Sequence, residues 1–244
     1  MTYCVAIKVN EGIVFASDSR TNAGVDYVRT YSKMHSYSWP GDRTLVILTS
    51  GNLATTQAVI NKIEHDLNDD RSRFNLKQAK QLYEVAHYIG KLNQQEQAEH
   101  GKAFKENRKA LGATFIVGGQ IGESDDDIFL VYPEGNYITV SAETPYMQIG
   151  ETKYGKPILD RIINEATSLN DAARCALVSL DSTMRSNVSV GPPLELAIYR
   201  ANSLVEPTYM NIDLTSSFFK DMQTQWAEGL HNAFRNLPKF EWES

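Results

Sequence analysis

Thr2 has the most direct access to chemistry of any residue in this chain. The sequence opens Met1-Thr2-Tyr3-Cys4-Val5-Ala6, and loss of Met1 would leave Thr2 with a free α-amine. A terminal threonine carries a hydroxyl nucleophile and its own base on one residue. With a reference pKa of about 8, that amine can accept the hydroxyl proton near neutral pH. The expectation is that no targeting or pro-segment precedes Thr2, so Met1 alone masks it. Local sequence also brings an acid close. Thr2–Val9 is rich in β-formers, Asn10-Glu11-Gly12 is a turn signal, and Ile13–Ser17 reads as the returning strand. Antiparallel strands of similar length set the start of one beside the end of the other, so Asp18 falls near Thr2.

The rest of the chain must hold that hairpin. Val28–Tyr37 reads as a strand carrying Lys33, and Trp39-Pro40-Gly41-Asp42 as a turn. Thr44–Thr49 reads as a buried strand ending at Ser50-Gly51-Asn52. Helical stripes run through Leu53–Leu67 (Ala54, Val59, Ile60, Ile63, Leu67) and Leu76–Gln97 (Ala79, Leu82, Tyr83, Ala86, Ile89, Leu92). The polar run Asn93–Arg108 reads as a loop or an exposed helix extension. Strands follow at Ala113–Gly118, Ile128–Val131 and Tyr137–Ser141, then helices around Pro157–Ala166 and Asp171–Arg185. Strands at Leu194–Tyr199 and Leu204–Met210 precede a closing helix at Ser216–Asn236. Strands in hairpins and helices in pairs predict an α+β fold, two antiparallel sheets layered with helices. The expected organisation is one domain over residues 1–244 with a helical tail from about 215.

Composition narrows the functions. The chain has 244 residues and a net charge of -6, with no basic patch interleaved with aromatics. This argues against a nucleic-acid groove, which needs clustered Lys and Arg. Two cysteines, Cys4 and Cys175, lie far apart, and the five histidines form no HxxxH or HExxH set, so neither a disulfide framework nor a metal site is expected. The acidic loop Gly122–Asp127 lacks the spacing of a calcium loop. No cofactor is expected. No apolar run reaches the ~18 residues of a membrane span, and the expected setting is soluble and cytoplasmic.

Thr2 opening a strand, the stretch Phe15-Ala16-Ser17-Asp18-Ser19-Arg20-Thr21-Asn22-Ala23-Gly24, Lys33, and Leu48-Thr49-Ser50-Gly51 before a helix together carry a resemblance. The chain resembles the proteasome-type threonine hydrolases of the N-terminal nucleophile superfamily over nearly its whole length. Within them it is similar to the bacterial Anbu branch, whose members begin Met-Thr-Tyr-Cys and carry a longer C-terminal tail. The resemblance implies a four-layer αββα sandwich. It gives Lys33 the role of favouring the Thr2 alkoxide and disfavouring amine protonation, with Asp18 as its charge partner. Gly51 N–H becomes the oxyanion donor. Arg20 is expected to tie the loop near Asp18. Thr21, Asn22, Tyr31, Lys33, His35 and Thr49 are implied as substrate-binding positions, a mixed polar and aromatic set with no sharp specificity.

Two positions depart from the family pattern. Ser189 matches the serine of the Arg-Asp-x-x-Ser-Gly segment, but Ser186 stands where Asp is usual. Asp181, a helical turn earlier, is the candidate to compensate. Glu151 replaces the serine of a Gly-Ser-Gly segment. Both changes bear on peptidase efficiency more than on the fold. Three functions stay open: a threonine-nucleophile peptidase in a self-assembled homo-oligomer, a structural assembly subunit, and an amidase or acyl-transfer enzyme on another substrate. A ring or an open helical stack of identical subunits is expected. The closing helix and the segment Leu237–Trp242 are candidate contact surface, or else a cover for the subunit's own core. With no GxxxxGK[ST] motif in the sequence, any ATP-dependent partner is a separate protein.

Overall fold

The computed structural model describes residues 1–22, 28–101 and 111–243. Two five-stranded antiparallel sheets form its centre. The first is ordered β10-β1-β2-β11-β12, from β1 (Tyr3–Val9), β2 (Gly12–Asp18), β10 (Tyr146–Gly150), β11 (Leu194–Arg200) and β12 (Thr208–Ile212). The second runs β5-β6-β7-β8-β9 in chain order, from β5 (Met34–Trp39), β6 (Arg43–Gly51), β7 (Ala113–Ile121), β8 (Asp127–Val131) and β9 (Tyr137–Thr139). A short ribbon pairs β3 (Arg20–Asn22) with β4 (Val28–Thr30).

Helices cover the outer faces. Tyr3, Val5 and Ile7 of β1 pack against α3 (Lys156–Ile162) and α4 (Leu169–Ser186) through Leu159, Ala172, Ala176 and Leu180. Leu45 and Ile47 of β6 pack against α1 (Leu53–Asn68) and α2 (Leu82–Gly101) through Val59, Ile63, Val85 and Ile89. The alternate residues Cys4, Ala6, Ile13 and Phe15 meet Val46, Leu48 and Ile116 between the sheets. The expected four-layer αββα sandwich is the observed architecture. Burial on both faces is why β1 and β2 read as nearly continuous apolar runs, not as strict alternation.

Several elements differ from the sequence expectation. The strand placed at Val28–Tyr37 breaks into β4 and β5, and Lys33 lies in the loop between them. The second helix starts at Leu82, not Leu76. Leu76 and Ala79 are buried from a turn, whose two carbonyls accept from the Arg43 guanidinium at 2.8 and 2.7 Å. Glu84 then caps the helix by accepting from the Lys80 N–H at 2.7 Å. β10 was not anticipated as a strand, β12 begins at Thr208, and α3 ends at Ile162. Part of the polar run to Arg108, residues 102–108, lies outside the described residues.

The closing helix α5 (Ser217–Arg235) buries only Phe219. Phe218, Leu230 and Phe234 are exposed along it, and so are Leu237, Phe240 and Trp242 beyond it. The Phe240 and Trp242 rings stack on one another at 4.4 Å. These side chains do not cover the subunit's own core.

Candidate active site

The β1–β2 hairpin sets Cys4 opposite Ser17, so Asp18 ends β2 beside the start of β1. Asp18 is fully buried. Its Oδ1 accepts from the Tyr3 N–H at 3.0 Å and from Lys33 Nζ at 2.6 Å, and its Oδ2 from the Gly191 N–H at 3.2 Å. One carboxylate thereby ties together the residue after Thr2, the Lys33 loop and the segment before β11. Burial pushes the Asp18 carboxyl above its ordinary range, while the Lys33 ammonium and the two backbone donors pull against it. Lys33 Nζ also donates to the Arg20 carbonyl at 2.7 Å, and the Lys33 carbonyl accepts from the Thr49 N–H at 2.9 Å. Lys33 is therefore held from both ends.

A cleft of about 400 Å³ opens where the two sheets meet, lined in part by Thr2, Thr21, Lys33, Thr49, Ser50, Gly51 and Gly150. Gly51 ends β6 opposite Ala113 at φ +110°, and an added Cβ would lie 2.4 Å from the Gly112 carbonyl oxygen. Only glycine fits there. Asn52 follows as the N-cap of α1, accepting from the Thr55 N–H at 3.1 Å. A second cavity of about 300 Å³ shares Lys33 and Thr49 with the cleft and adds Tyr31 and His35. Its far wall is Gln57, Asn61 and Glu64 of α1, which sequence reasoning did not single out. Burial lowers the His35 pKa. The side chain of Asn22 lies outside the described residues.

The family model for proteasome subunits matches residues 2–199. The chain belongs to the proteasome subunit family. Among solved structures it is similar to Anbu (ancestral beta-subunit) from Yersinia bercovieri, at 40% identity and TM-score 0.92 over 98% of this chain and 99% of that one. A structure described as the helical assembly of the Anbu complex from Pseudomonas aeruginosa matches at 41% identity and TM-score 0.92, over 98% of each chain. An Anbu (Gly-1) mutant from Hyphomicrobium sp. strain MC1 matches at 38% identity and TM-score 0.91, over 99% of this chain and all of that one. No curated protein matches at a significant level. The family model stops at Tyr199, whereas the Anbu structures match to nearly full length, so the tail is shared with them.

Not every residue named from the proteasome pattern reaches the cleft. Ser186 is exposed at the end of α4, and Ser189 lies in the following loop, its N–H donating to Asn187 Oδ1 at 3.0 Å. Neither lines the cleft that holds Thr2. The carboxylate of Asp181 accepts from Arg185 and from Gln223 on α5. Arg20 donates to the Val188 carbonyl at 2.7 Å and so ties that loop down.

In this proteasome-type subunit Glu195 of β11 is the buried acid that sequence reasoning missed. Its carboxylate accepts from Ser17 Oγ at 3.3 Å, Ser32 Oγ at 2.8 Å, the Lys33 N–H at 3.3 Å and the Tyr209 hydroxyl at 2.7 Å. It pins the loop that carries Lys33 onto the first sheet. The signal was available: an acid inside the apolar run Leu194-Glu195-Leu196-Ala197-Ile198 has to be satisfied internally.

Proposed function

We propose that this chain is a threonine-nucleophile amide hydrolase of the proteasome β-subunit type, cleaving peptide bonds in a cytoplasmic homo-oligomer once Met1 is removed. The observation that carries the reading is the Asp18–Lys33 pair, 2.6 Å apart and anchored to the Tyr3 N–H, beside a cleft that Thr2 shares with Gly51. Thr2 Oγ attacks the scissile carbonyl carbon while its proton passes to the Thr2 amine, directly or through water. Lys33 stabilises the developing alkoxide, and Asp18 holds Lys33 in place. The Gly51 N–H donates to the oxyanion, a contact typically worth ~3 kcal/mol of barrier. The amine then gives its proton to the leaving nitrogen, and water hydrolyses the Thr2 ester. Thr21, Tyr31, His35 and Thr49 line the substrate side. Ser189, outside the cleft, acts through the loop it shares with Asn187.

Self-assembly uses the exposed apolar face of α5 and the stacked Phe240–Trp242 tail. An unpartnered apolar surface of this kind marks an interaction site, and the relative from Pseudomonas aeruginosa is described as a helical assembly. The second reading, a structural assembly subunit without turnover, is favoured by that same surface and by the absence of Ser186 and Ser189 from the cleft lining.

Intact mass shows whether Met1 is lost. An epoxyketone or β-lactone should then add its mass to the N-terminal Thr2 peptide, and Thr2→Ala should abolish the adduct. Met-free protein that takes up no electrophile and behaves like Thr2→Ala in peptide-library cleavage would leave only the structural reading.

A further inference from the structure

Leu53 and Thr56 at the start of α1 line the cleft that holds Thr2, and both also line the second cavity, as do Lys33 and Thr49. The second cavity therefore continues the cleft along the helix. Ile60 and Glu64 follow on the same wall, at the three- and four-residue steps of one helical face. From Thr56 to Glu64 that wall runs about 12 Å along the helix axis. Helical side chains tilt towards the N-terminus, which brings Glu64 back over the cavity it lines. Ser32, Lys33 and His35 supply the other wall. A space of about 300 Å³ with this length suits a long side chain.

The uncommitted charge of this cavity is negative. Lys33 Nζ is held 2.6 Å from Asp18 and on the Arg20 carbonyl. His35 brings no cation at neutral pH, because burial lowers its pKa, and the charges acting on it are the carboxylates of Glu195 and Glu64. Gln57 and Asn61 add neutral amides. The exposed Arg29 donates to the Tyr31 hydroxyl at 3.4 Å but does not line the cavity. On α1, Lys62 and His65 pair with Asp66, at 2.9 and 3.3 Å. Glu64 accepts from Asn68 through its backbone carbonyl, and among the described residues its carboxylate has no hydrogen bond or ion pair.

The geometry points to a cavity that receives a long cationic side chain, lysine or arginine, of the residue whose carbonyl Thr2 attacks, with Glu64 as its carboxylate partner. The inference rests on the proposed threonine-hydrolase reading and gives it a substrate class. The positions named from sequence, Thr21, Asn22, Tyr31, His35 and Thr49, include no acid and carry no sharp preference. The wall from α1 supplies one. Glu64 is exposed, so the pair is partly screened and its effect is that of a surface ion pair.

Two readouts test this, and only one needs catalysis. In Thr2→Ala protein, n-butylguanidinium should shift the NMR signal of the His35 ring saturably, and hexanoate should not. Glu64→Gln is expected to weaken that binding about three- to fivefold, the size of an exposed ion pair, and Glu64→Lys to abolish it; melting temperatures verify that both variants are folded. In Met-free protein with Thr2 intact, peptides that differ only at the attacked residue should give kcat/KM about three- to fivefold higher for lysine or arginine than for norleucine. Glu64→Lys should remove that preference. Butylguanidinium binding unchanged in Glu64→Lys, hexanoate bound as well as the cation, or norleucine peptides cleaved as fast as lysine peptides overturns the proposal. Glu64-dependent binding of the cation to a protein that cleaves no peptide supports the cavity assignment and counts against the hydrolase reading, so the two failures are distinct.

Discussion

Replacing Lys33 by Met is expected to destabilise the protein by about 3–5 kcal/mol at neutral pH, the usual cost of breaking a buried ion pair from one side. The pair is suited to this test because Asp18 is fully buried and the Lys33 side chain is only 7% exposed. Methionine retains the apolar stem and leaves the carboxylate with two backbone donors, the Tyr3 and Gly191 N–H groups. In a domain of this size 1 kcal/mol corresponds to about 2–4 °C, so Tm should fall by roughly 6–20 °C. The effect depends on pH with a definite sign. Burial already pushes the Asp18 pKa up, and loss of Lys33 pushes it further. A carboxylate with a raised folded pKa binds more protons folded than unfolded, so stability falls as pH rises. The penalty is therefore smallest below the unfolded value of about 3.9 and complete above the folded one. Lys33→Met should regain stability relative to the parent as pH is lowered from 7 towards 4. The double variant Lys33→Met with Asp18→Asn removes both charges and should lie within about 2 kcal/mol of the parent. Urea unfolding across that pH range measures all three. A loss below about 1 kcal/mol at pH 7, or a double variant less stable than Lys33→Met alone, refutes the reasoning.

Glu195→Gln removes a carboxylate that satisfies four donors; it should cost about 1–3 kcal/mol and make Lys33 several-fold more reactive to an acetylating reagent, read by peptide mass. Equal protection of Lys33 in the two proteins would show that Glu195 does not hold the loop. Gly51→Ala forces a Cβ against the Gly112 carbonyl at a positive φ; a stability loss of about 1–3 kcal/mol or more and slower electrophile labelling of Thr2 are expected, with labelling at parent rate as the contrary result. Phe234→Glu combined with Trp242→Glu alters two side chains that are 73% and 78% exposed. Light scattering should report smaller species with Tm unchanged to within about 2 °C, and an unaltered assembly would remove the tail from the interface.

Much of the fold was legible because its signals are local. The first hairpin, the buried β6 run and the helical stripes follow from turn residues and periodicity within a few residues. What failed was decided at long range. Leu76 and Ala79 look helical, but the Arg43 guanidinium holds their carbonyls in a turn from 33 and 36 residues away. β10 is five residues long and becomes a strand by pairing with β1. Its role at the Thr2 end was invisible until that register was known. The site divides the same way. Asp18 follows from the hairpin alone, whereas Lys33 and Gly51 needed the family resemblance. The surroundings of Ser186 and Asp181 were not legible, because the end of α4 and its contact with α5 set them. Glu195 was overlooked because its donors come from three separate places, β2, β12 and the loop that carries Lys33.

The two sheet orders also set a sequence of events during folding. The second sheet pairs its strands in chain order between Met34 and Thr139, so all its strands exist once the chain has been made to Thr139, with α1 and α2 spanned by the β6–β7 closure. The first sheet places β1 between β2 and β10, and β2 between β1 and β11. Its hairpin keeps two open edges until strands beginning at Tyr146 and Leu194 have been made. In chains stalled on the ribosome beyond Thr139, hydrogen exchange should protect the β6 and β7 amides while those of β1 stay open, and the reverse pattern would contradict this account. The wall that carries Gly51 is thus in place before the wall that carries Asp18, and Thr2 meets the loop that carries Lys33 only when nearly the whole chain has been read out.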